Sequence, residues 1–152
     1  LTPTTSRQRR CRSPTVVAGA ADNPAKGGSW KGMEMAEAAL CTMFGEPVPG
    51  REKKALEVYG ETVQYYTRLQ QEGAIERFDV TIVGPTGGQV NGFIVVRGTA
   101  NQIDTLRRAK EFQQMINRVQ LIASHVSVND AWVDEGLAQI MSQYQEVVER
   151  LE

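Results

Sequence analysis

Val90-Asn91-Gly92-Phe93-Ile94-Val95-Val96-Arg97 is the stretch that decides the fold. It is short, rich in β-branched residues, and follows the turn-forming run Gly84-Pro85-Thr86-Gly87-Gly88, so it predicts a strand. Successive strand side chains point to opposite faces, which sends Phe93 and Val95 one way and Ile94 and Val96 the other. An antiparallel strand with water on one side alternates apolar with polar. This strand is apolar on both sides and predicts a sheet covered on both faces.

Upstream of the turn, Ile75-Glu76-Arg77-Phe78-Asp79-Val80-Thr81-Ile82-Val83 alternates, with Phe78, Val80 and Ile82 on one face, and completes a hairpin. Before it, residues 51–72 predict a helix with a stripe of Ala55, Leu56, Tyr59, Val63, Tyr66 and Leu69, ended by Gly73 as a left-handed cap. Ala39 to Phe44 is a short apolar run, a first strand or a helical turn leading into one. Glu46-Pro47-Val48-Pro49-Gly50 is an extended connection.

Downstream, Thr99 and Gln102 form a capping-box pattern. The helix they open runs to about Ala123, with a bend near Ala109–Lys110 and an apolar face of Ile103, Leu106, Phe112, Met115, Ile116, Val119 and Ile122. Residues 124–133 predict a last strand, and Asp134 is placed to cap a third helix with the stripe Leu137, Ile140, Met141, Tyr144, Val147, Val148 and Leu151.

The order (β)–α–β–β–α–β–α is that of a ferredoxin-like, split βαβ antiparallel sheet of the α+β class, with helices on one face plus a C-terminal helix. The second covering layer is most simply the sheet of a second copy about a two-fold axis, a sheet-to-sheet homodimer. The third helix folding back over that face is the alternative.

Composition bounds what such a domain does. The 152 residues suit one domain, expected to span 33–152. No apolar run approaches the ~20 residues of a membrane helix, so the expectation is a cytoplasmic protein without a membrane partner. The formal net charge is −1, but it is divided. Residues 1–32 carry Arg7, Arg9, Arg10, Arg12, Lys26 and Lys31 against Asp22, a net +5, and the remainder carries −6. With three prolines, four glycines and little apolar content, 1–32 predicts a disordered basic tail, or an extension upstream of the protein proper, since the chain opens on Leu1 while Met33, Met35 and Met43 sit where the globular pattern starts. Nucleic-acid binding through Arg7–Arg12 is the functional alternative for this stretch.

From Gly45-Glu46-Pro47-Val48-Pro49-Gly50-Arg51-Glu52, the Tyr-containing helix, Phe93-Ile94-Val95-Val96 and Lys110-Glu111-Phe112, residues 39–150 resemble small uncharacterised bacterial proteins of the dimeric α+β-barrel superfamily. That superfamily includes cofactor-free monooxygenases, isomerases, haem enzymes and members without known activity. The resemblance therefore implies fold and dimerisation far more than a reaction.

Few residues invite chemistry. His125, the only histidine, is the one catalytic candidate, as a general base near Ser127 and Asn129. The resemblance makes it the only haem-ligand candidate, but it has no second ligand beside it, and no cofactor or metal is expected. Tyr59, Tyr65 and Tyr66 with Trp132 are candidates to line a pocket for a small hydrophobic ligand, with Arg97 and Asn129 as polar candidates. Arg77 and Asp79 read as cross-strand partners. Cys11 and Cys41 form no metal-binding pair, and the glycine-rich turn lacks the Lys-Ser/Thr and following helix of a phosphate loop. The leading expectation is a dimer that binds a small hydrophobic ligand or has no catalytic role. A cofactor-free monooxygenase or isomerase for an aromatic or polyketide-like substrate is the alternative.

Overall fold

The computed structural model describes residues 36–84 and 87–151. The readings of 1–32 fall on residues outside this range, as do Pro85 and Thr86.

The elements are β1 (Ala38–Phe44), α1 (Glu52–Gln71), β2 (Arg77–Ile82), β3 (Gly92–Gly98), α2 (Ala100–Arg108), α3 (Lys110–Ile122), β4 (Ser127–Ala131) and α4 (Asp134–Glu149). The strands form one antiparallel sheet in the order β2-β3-β1-β4. The Ala39–Phe44 run is thus a strand, and a central one. The two strand–helix–strand units are interleaved, so that β1 lies between β3 and β4, as the split βαβ order requires.

The double-sided character of β3 decides how the layers stack. Ile94 and Val96 are buried with Leu40 in a core that includes Tyr65, Tyr66, Ile103, Leu106, Phe112 and Met115 from the helices. Phe93 and Val95 turn to the other side and are half-buried, beside Cys41 and Met43 of β1. Burying one such large apolar side chain is worth roughly 1.5–3 kcal/mol, so the helix-covered side holds the fold together, whereas Phe93 and Val95 on the outer face are only partly buried.

Local signals explain most boundaries. Thr99 accepts from the Gln102 amide at 3.2 Å and its own amide donates to Gln102 Oε1 at 2.9 Å, a complete capping box. Gln102 also donates to the Gly73 carbonyl at 3.0 Å, which ties the start of α2 to the end of α1. Gly73 has φ +72°, a left-handed conformation that costs glycine nothing. The bend near Ala109 is a full break: Ala109 has ψ 129°, which no α-helix tolerates, and it ends α2 and starts α3. After β1 the chain runs extended against the end of α3. Val48 N donates to Ile122 O at 2.9 Å, Ser124 N to Glu46 O at 2.9 Å, and Pro47 bridges Ala123.

Two expectations are corrected. On α1 the buried residues are Val58, Thr62, Tyr65 and Tyr66, whereas Leu56 and Tyr59 are exposed. Thr62 lies inward because its hydroxyl bonds back to the Val58 carbonyl at 2.8 Å, which removes the cost of burying it. Asp134 does not cap α4: the N-cap is Val133, without a side-chain bond, and the Asp134 carboxylate instead meets Arg77 and Arg97, each at 3.6 Å.

Candidate functional site

Because α1 turns Leu56 and Tyr59 out of the core, and α3 and the 45–47 segment close in from the other side, the helix-covered face of the sheet encloses an open space. It is a cavity of about 520 Å³. Thr42, Phe44 and Ile94 form its floor on β1 and β3, with Ile82 at the end of β2. Val58, Tyr59, Thr62 and Tyr66 come from α1, and Met115, Ile116, Val119 and Ile122 from α3. The volume falls within the ~300–1,000 Å³ typical of small-molecule sites, and the lining has their usual composition, mostly carbon with a few placed polar groups.

Tyr66 is the central one of those groups. It is fully buried, and its hydroxyl has no hydrogen-bond partner. Burial pushes the phenol well above its ordinary range; the Thr42 side chain opposes the shift without forming an aligned hydrogen bond. Tyr66 is therefore a protonated donor at any ordinary pH. Its ring is fixed by Tyr65 at 5.4 Å and Phe78 at 5.5 Å between centroids, so the hydroxyl is held in place rather than free to seek solvent. Glu52 also lines the cavity, and the backbone amides of Glu52 itself and Gly50 hold its carboxyl below the usual range, the latter at 3.1 Å.

The candidate residues separate. Tyr59 and Tyr66 are brought together on the cavity lining. Tyr65, one residue before Tyr66, faces the α1–α3 groove with the Arg68 guanidinium 5.4 Å from its ring centroid. Arg97 lies on the outer face, in ion pairs with Asp79 at 3.3 Å and Asp134. Its Nε is buried without an aligned hydrogen bond, so the Asp79 contact is a charge pair rather than a directed bond. Asn129 is on the outer face as well and donates to Ser127 at 3.1 Å. Trp132 lies beyond the end of β4 and is 53% exposed. His125 is exposed in the connection before β4, with φ +49°, and does not line the cavity. Thr42 and Thr62 were missed by sequence reasoning. Thr42 sits at the position opposite Ile94 and would have followed from the β1–β3 register. Among the described residues no group of three His, Cys, Asp or Glu converges on a point that could hold a metal ion. No described helix is long and apolar enough to cross a membrane.

No protein-family model matches the chain, and no curated protein matches it. Solved structures do. A dimeric ferredoxin-like protein of unknown function from Jannaschia sp. CCS1 superposes with a TM-score of 0.50 at 12% identity, over 63% of this chain and 99% of that one. The fold is ferredoxin-like. A second ferredoxin-like protein of unknown function, also described as dimeric, from Bacteroides fragilis NCTC 9343, gives a TM-score of 0.48 at 9% identity, over 63% of this chain and 96% of that one. SnoaB, a cofactor-independent oxygenase from Streptomyces nogalater, gives 0.44 at 11% identity, over 66% of this chain and 95% of that one. In this chain the ferredoxin-like sheet has the cavity on its helix-covered side and the partly buried Cys41, Met43, Phe93 and Val95 on the other.

Proposed function

We propose that the protein binds a small, largely apolar molecule in the cavity between α1, α3 and the sheet, and that it does so as a homodimer whose outer sheet faces meet. The observation that carries the binding reading is Tyr66: a buried donor without a partner, held rigidly in the wall of an otherwise carbon-lined cavity. Leaving such a group unsatisfied costs about 1–3 kcal/mol, and a ligand oxygen placed at it recovers that cost. The lining holds no cation among the described residues and one ionised carboxylate, Glu52. It therefore favours a neutral ligand with an acceptor oxygen. The dimer reading is supported by the half-buried Cys41, Met43, Phe93 and Val95 on the outer face, and the Jannaschia protein of like fold is described as dimeric.

A cofactor-free oxygenase or isomerase ranks second. It needs a group in the cavity that takes up a proton, and the one carboxylate there is a weakened base. Calorimetric titration with neutral aromatic and aliphatic ketones and alcohols tests binding. Saturating binders should raise Tm by several degrees, and Tyr66→Phe should weaken the oxygen-bearing ones roughly tenfold while sparing their hydrocarbon analogues. A panel without one binder, paired with an Ile116→Trp variant that fills the cavity and melts at higher temperature, would show that the space is a packing defect.

A further inference from the structure

The helix α4 is unlike the others. Its only buried residue is Gly136, while Leu137 and Met141 are each 50% exposed, Tyr144 64% and Leu151 82%. Its root is nonetheless fixed. The Asp134 carboxylate bridges Arg77 and Arg97, and Gly136 lies so close to the Glu37 carbonyl that a β-carbon there would come within 1.8 Å of its oxygen. A helix anchored at its root carries an apolar stripe that stays exposed among the described residues.

We infer that the stripe of α4 packs on a second copy of this chain, as a reciprocal arm beside the sheet-to-sheet contact. The inference rests on the dimer reading above and adds to it a second surface. Three observations select a second copy as the occupant.

The first is continuity. Arg77 and Arg97, which hold Asp134, belong to the outer sheet face, so the root of α4 is tied to the same face that carries the half-buried Cys41, Met43, Phe93 and Val95. A two-fold axis through that face carries each arm to the other copy and covers both arms at once.

The second is exposure. Leu137, Met141, Tyr144 and Val147 are each at least half exposed on one side of α4, a contiguous apolar patch of a kind that lone soluble domains rarely show.

The third is charge. At 100° per residue, Leu137, Ile140, Met141, Tyr144, Val147, Val148 and Leu151 lie within about 60° of Tyr144, while Glu135, Glu146 and Glu149 fall on the opposite side. The stripe is bordered by Gln143 and Gln145. Two copies of a chain that is net negative beyond residue 32 thus meet along α4 without like charges facing each other.

The test uses the full chain. Sedimentation and light scattering should give a mass of two chains at micromolar concentration. The double substitution Met141→Glu/Tyr144→Glu adds charge to residues already exposed in one chain, so the helical circular dichroism should stay unchanged while the dissociation constant rises at least about a hundredfold. Val95→Asp probes the sheet contact separately. If Val95→Asp splits the dimer and the α4 double variant leaves its dissociation constant unchanged, the arm is refuted and the sheet dimer stands. A wild-type mass of one chain refutes both. Hydrogen exchange in 137–151 gives an independent reading. Protection that appears on dimerisation and is lost on dilution supports the arm, and protection that is independent of concentration assigns the stripe to the chain's own N-terminal segment and overturns it.

Discussion

A buried phenol without a partner is a liability in an empty protein, and Tyr66 carries that liability in the cavity wall. Tyr66→Phe should therefore raise the stability of the ligand-free protein, by up to about 1–2 kcal/mol, read as a higher urea midpoint at pH 7. The same residue sets an alkaline limit. Its folded-state pKa lies above the unfolded value, so between the two the native state holds a proton that the unfolded chain releases. Stability is full below about pH 10 and falls as pH rises above it, by at most about 1.4 kcal/mol per pH unit from this group. In Tyr66→Phe that part of the slope should vanish. His125 occupies a left-handed backbone position and lies outside the cavity lining. His125→Gly should hold or raise stability by about 1 kcal/mol, His125→Ala should lower it slightly, and both should bind ligand as the unmodified chain does. Tyr59 and Tyr66 were legible as lining because aromatic residues at helical spacing next to a sheet have few other places to go. Arg97 and Asn129 were not. One residue of strand register decides which face they take, and pairing partners are not visible in a single strand's sequence.

Elements announced themselves where a short-range interaction defines them. The Thr99–Gln102 box is such a case, and Thr99→Ala should cost about 1 kcal/mol in urea unfolding, with helix content nearly unchanged. Gly73 was readable for the same reason, since only its own backbone is involved. The phase of α1 was not. Leu56 and Tyr59 look like core residues on the stripe, yet the helix buries Val58 and Thr62. The choice depends on where α3 packs, which lies 50 residues downstream, and on a threonine that hides its hydroxyl against its own helix. Asp134 misled in the same way: an acid before a helix reads as a cap until two arginines from other strands claim it.

At the scale of the molecule, the apolar run at 93–96 proved informative because both its faces had to be accounted for. Ile94 and Val96 are in the core and Phe93 and Val95 are not. Ile94→Asp should give no folded protein, since a carboxylate there is desolvated without a partner. Val95→Asp should leave a folded subunit with native circular dichroism and a mass of one chain. Equal loss of folding in the two variants would mean that the outer face is covered from within. The layer order was thus readable from one strand, whereas the arrangement of α4 was not, because an amphipathic stripe says that it needs a cover and not which surface provides it.

The sheet is a wall one residue thick, and β3 deals its residues alternately to the two sides. Even-numbered positions from Gly92 to Gly98 belong to the interior and the odd-numbered ones between them to the outer face. Substitutions at 93 and 95 can therefore change which chain this one associates with while the shape of the cavity is left alone, and substitutions at 94 can reshape the cavity while association is left alone. If the proposed ligand and dimer are right, a lineage built on this wall can exchange its companion and its cargo in separate steps, one parity of residues at a time.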